Sequence, residues 1–97
     1  MAYNDINTGR KSAISTTAVQ LTTDTTLVAE NSVLIVADSS NAVNVWVGGS
    51  GLTVDAADTT DGFPLEPGDS INIPIKQPTQ IYLRAPSGSN KVWWILV

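Results

Sequence analysis

No stretch of the chain holds apolar residues at a 3.6-residue spacing, which sets helical folds aside at the outset. From Ser12 onward, β-branched residues come instead in short runs divided by turn formers, the texture of a chain built from short strands. Strands are expected at 12–21, 25–29, 32–38, 42–48, 52–54, 63–65, 69–75, 79–84 and 91–97. The divisions between them have mechanisms: "DSSN" before Ala42, "GGSG" at 48–51, "EPGD" at 66–69 and "APSGSN" at 85–90 are all turn chemistry. Pro67 and Gly68 suit the central positions of a type II turn, proline fixing φ and glycine accepting a positive one. Pro74 would cost a ladder hydrogen bond in a central strand, so the strand carrying Ile71, Ile73 and Ile75 is expected to lie at an edge or to bulge.

A chain of 97 residues buries about 64% of its extended surface on folding, enough for one core. Many short strands in one small domain imply an all-β fold, a small β-sandwich or barrel, with a jelly roll the first choice. Alternation gives the core as Val33, Ile35, Val43, Val45, Val47, Ile71, Ile73, Ile75, Ile81 and Leu83, with one of the two terminal tryptophans. The domain is expected to run from 12 to 97. Residues 1–11, "MAYNDINTGRK", are polar and aperiodic and are expected as an extended N-terminal arm, either a loose tail or one that orders against a neighbouring subunit.

With no cysteine and no histidine, disulfides, thiolate metal sites and the usual general base are all missing, so stability falls to packing or association. A cupin-like metal centre lacks its histidines, and "GGSG" has neither a nucleophile elbow's pattern nor a phosphate loop's lysine. No catalysis and no cofactor are expected. Asp55, Asp58 and Asp61, spaced by three and followed by Gly62, form an acidic loop; its carboxylates cap turns or gather around Ca²⁺, without the ligand pattern of an EF-hand. A net charge of −4 argues against a nucleic-acid partner, which would need a basic face. The acids cluster from Asp24 to Asp69, where there is no Lys or Arg, and that asymmetry suits a solvated surface or contacts between opposite ends of neighbouring copies. No apolar run approaches the roughly 20 residues of a membrane span, and the first residues do not read as a signal peptide.

The terminal stretch "KVWWILV" poses the main question. In a strand, Val92, Trp94 and Leu96 point one way and Trp93, Ile95 and Val97 the other, and both sets are apolar. Exposed, either set makes a patch that monomers rarely carry. The second face is covered by the sandwich itself or by another subunit; parity does not say which tryptophan is inside. Sugar stacking by Trp46 with Trp93 or Trp94 is the alternative use of such aromatics.

Residues 33–97, about two thirds of the chain, resemble small all-β virion proteins of tailed bacteriophages, of the head decoration or cement type. The features that carry the likeness are "VLIVADSSNAVNVWVGGSG", "FPLEPGDSINIPI" and "QIYLRAPSGSNKVWWILV": strands joined by Asn/Ser, Pro-Gly and small-residue turns, closing on an apolar strand. The resemblance implies a non-catalytic virion protein present in many copies, assembled in the host cytoplasm as a homo-oligomer against other virion proteins, with neither nucleic acid nor membrane as partner. The alternative is a non-catalytic glycan- or receptor-binding module. The residues expected to make contacts are Trp93, Trp94, Ile95 and Val97 of the last strand, with Tyr3 and Arg10 of the arm.

Overall fold

The structure is a computed structural model that describes residues 6–54 and 59–97. The described residues form eight strands: β1 (Thr8–Ile14), β2 (Val19–Gln20), β3 (Val33–Ala37), β4 (Val45–Gly48), β5 (Phe63–Leu65), β6 (Ser70–Ile73), β7 (Tyr82–Arg84) and β8 (Asn90–Leu96). They form two antiparallel four-stranded sheets, ordered β1-β8-β3-β6 and β2-β7-β4-β5. First pairs with last, third with eighth and sixth, and the second sheet nests in the same way: the strand order of a jelly roll. The fold is all-β: of the described residues, 42% are strand and 3% helix.

Between the sheets lie Val33, Ile35, Val45, Val47, Ile81 and Leu83, as alternation requires, joined by Ile14, Leu21, Leu65, Val92 and Trp94. Val43, Ile71, Ile73 and Ile75 pack against this cluster half-buried, Ile71 and Ile73 because β6 is an edge strand. That strand ends at Ile73, before the proline that lacks a ladder donor. The Pro-Gly turn forms as its residues dictate: Asp69 N donates to Glu66 O at 2.9 Å, and Gly68 has φ of 90°.

Elsewhere local chemistry overrides the expected strands. The run 12–21 is two strands in different sheets. The register of β1 on β8 shifts between Lys11 and Ile14, where Ala13 has φ of 58°, and the chain crosses the sandwich before β2. The arm is shorter than expected, since from Thr8 onward it is strand, paired Thr8 to Ile95 and Arg10 to Trp93; residues 1–5, Tyr3 among them, lie outside the described residues. Residues 25–29 are not a strand, because Asp24 Oδ1 accepts from both the amide (2.9 Å) and the hydroxyl (2.6 Å) of Thr26 and turns the chain. The start of 79–84 is a 3₁₀ turn, Pro78–Gln80, opened by its proline.

Two asparagines complete the β8 end of the first sheet. Asn41 pairs with the Lys91 backbone as a strand residue would, Nδ2 donating to Lys91 O and Oδ1 accepting from Lys91 N, both at 2.9 Å. Asn90, buried, donates to Ile14 O at 3.1 Å and Ser87 O at 2.9 Å, tying the bulged end of β1 to the turn before β8.

Candidate interaction surface

Strand β8 resolves its two tryptophans. Trp94 is 8% exposed and lies in the core with Val92, whereas Trp93 is 45% exposed on the outer face. Grouping both in a contact set is therefore corrected for Trp94: its face is the one the second sheet covers.

The register assembles the outer face row by row. Arg10, Trp93, Val36 and Ser70 stand side by side across β1, β8, β3 and β6, and Thr8, Ile95, Leu34 and Asn72 form the next row. Beyond the strands the same register brings Ile6, 79% exposed, beside Val97, 50% exposed. The middle is thus apolar on both central strands and the flanks are polar, the anatomy of a protein-contact surface. A shallow groove of about 490 Å³ runs over it, lined by Leu34, Val36, Trp93 and Ile95 with Thr8 and Arg10 at one side.

Trp93 is held in place despite its exposure. Its indole N–H donates to Asp38 Oδ1 at 2.9 Å, and the Arg10 guanidinium sits 5.5 Å from the ring centroid, within cation–π range. Asp38 is fixed in turn: its other oxygen accepts from the Ser40 hydroxyl and from the Ser40 amide at 3.0 Å. The Ser40 hydroxyl above all, then the Trp93 indole and the Ser40 amide, with a smaller pull from Lys91, hold the Asp38 carboxyl down at about 2. An aromatic side chain fixed before binding loses little freedom on contact.

Because the carboxyl's folded value lies below its ordinary value of about 4, its support for Trp93 is complete above that pH and is lost as pH falls through about 2. Ser40→Ala removes the largest cause, so the indole N–H signal of Trp93, followed by NMR, should move at higher pH than in the wild type. An unchanged titration would mean that Ser40 does not set the carboxylate.

Other residues singled out in the sequence fall elsewhere. Asp55 and Asp58 lie outside the described residues; Asp61 accepts from the Thr53 hydroxyl at 2.8 Å. Trp46 stands on the outer face of the second sheet between Arg84 and Pro64, on the opposite side of the sandwich from Trp93, so the two do not form one aromatic row. A second apolar recess, about 290 Å³, opens between the sheets beside Phe63, Ile71 and Ile75. Leu34, Val36 and Asp38 were not anticipated as contact residues, although "VLIVA" carries the same two-faced apolar pattern as "VWWIL".

Neither a protein-family model, a curated protein nor a solved structure matches the chain. Among the described residues, no helix is long and apolar enough to cross a membrane.

Proposed function

We propose that the chain is a bacteriophage virion structural protein, a capsid decoration or cement subunit that stabilises the particle through protein contacts made by the outer face of the β1-β8-β3-β6 sheet. The observation that carries this is Trp93, fixed by Asp38 and Arg10 at the centre of an apolar face that the described residues leave uncovered. Contact energy concentrates in such central, pre-fixed aromatics. The resemblance in residues 33–97 supplies the virion context; the jelly roll is compatible with it but is shared with lectin domains, so the site and not the fold supports the reading. The proposed partners are copies of the chain and other virion proteins, not nucleic acid, for which a net charge of −4 is unfavourable. No catalytic step is part of this proposal.

Particles purified by density gradient from cells producing the chain should carry it in many copies, and Trp93→Ala should reduce that occupancy by about 30-fold or more while the variant stays folded at the assay temperature. A chain recovered wholly outside the particles, or one that binds glycans as a monomer through Trp93, would overturn the proposal.

A further inference from the structure

We propose that this outer face takes a second copy of the chain, the two sheets stacking face to face about a two-fold axis that runs along the strands. The inference rests on reading the face as an assembly surface and adds its partner and geometry.

The face is divided by charge. On the β1/β8 half stand Arg10 and Lys91; on the β3/β6 half stand Asp38 and, hydrogen-bonded alongside Ala37, the turn that carries Glu66 and Asp69. A two-fold axis along the strands reverses strand order and keeps each row opposite itself. It therefore lays β1 over the partner's β6 and β8 over the partner's β3, basic half on acidic half, twice. Within the usual sheet-stacking angle of about 30°, Trp93 then packs on the partner's Val36, Ile95 on the partner's Leu34, and Arg10 comes beside the partner's Ser70. An axis running across the strands would instead lay β1 and β8 on the partner's β1 and β8, basic half on basic half, a like-charge contact. Pairing of sheet edges would leave Trp93 in water.

Size sets the strength. With strands about 4.8 Å apart and rows about 6.6 Å apart, the face covers roughly 350 Å² per copy, and stacking removes on the order of 700 to 1,000 Å² of accessible surface in all. That is the range of transient complexes, so the pair forms at micromolar concentration and comes apart on dilution.

Arg10 and Ser70 lie on opposite edges of one copy, with β8 and β3 between them, and meet only across the proposed axis. Sedimentation of the full chain at about 100 micromolar should give twice the monomer mass, falling to the monomer on hundredfold dilution. Arg10→Glu and Ser70→Lys should each weaken association at least tenfold, the first by facing a repulsive acidic half and the second by opposing the partner's Arg10. The two together should restore it to within about threefold of wild type by recreating an opposite-charge pair. Both positions are exposed, and matched thermal melts verify that each variant is folded. A wild-type chain that is monomeric at 100 micromolar, or a combined variant no tighter than the single ones, overturns the two-fold contact. A monomer that still leaves particles on Trp93→Ala overturns the two-fold contact while the virion reading stands; a rescued dimer absent from particles does the reverse.

Discussion

Replacing Trp94 with alanine is expected to remove about 3 to 5 kcal/mol from a fold whose whole stability is about 5 to 10, lowering its melting temperature by about 12 to 40 °C. The indole fills the space between the sheets next to Val92 and extends over the edge strand β1, so truncation opens a cavity that the rigid pairing of β8 with β1 and β3 cannot close. The neighbouring residue should behave otherwise. Trp93→Ala loses a surface hydrogen bond and a cation–π contact, together about 1 to 2 kcal/mol, and should melt about 4 to 15 °C below wild type, still folded at room temperature, while failing to associate. Chemical denaturation of the two variants, read alongside sedimentation, separates the roles. If Trp94→Ala keeps its melting temperature and loses only association, the inward and outward assignments are reversed.

That distinction shows how far the sequence reaches. Alternation made it certain that Trp93 and Trp94 face opposite ways, and the turn chemistry of Pro67-Gly68 and the edge position of the strand before Pro74 were equally open to reading. Which face is inward depends on register, and register is set by partners far away in sequence: β8 pairs with β1, some 80 residues earlier, and with β3. The contact surface was half legible for the same reason. "KVWWILV" announces a strand with two apolar faces, and so does "VLIVA", but only their adjacency in the sheet makes Leu34, Val36, Trp93 and Ile95 one patch. Asp38 read as a turn former before Ala42, which it is; that its carboxylate also receives the Trp93 indole follows from the same pairing and from nothing local. The strand expected across 12–21 failed because the chain bulges at Ala13 and then changes sheets between Ile14 and Val19, neither of which a hydrophobic period encodes.

Gly9 supplies the other large expected effect, and there propensity and structure predict opposite signs. Glycine in a strand costs backbone entropy and packs nothing, so valine in its place on an edge strand should by propensity alone add up to about 1 kcal/mol of stability. The structure requires a loss. Gly9 stands opposite Trp94 on the inner face, and a Cβ at this position would lie 2.3 Å from Trp94 Cζ2 and 2.5 Å from Cε2. The ring lies directly over the glycine, and neither the ring, packed in the core, nor the strand, paired to β8, is free to give way. Gly9→Val should therefore cost about 1 to 3 kcal/mol or more, with β1 partly released from the sheet and its amides exchanging faster. The cause is tested by the background in which it is measured. With Trp94→Leu already present, the ring is gone, and the added cost of Gly9→Val should shrink or change sign, giving a coupling of at least about 1 kcal/mol between the two positions. Costs that simply add would mean that Gly9 is needed for the strand's own conformation and not to make room for the tryptophan.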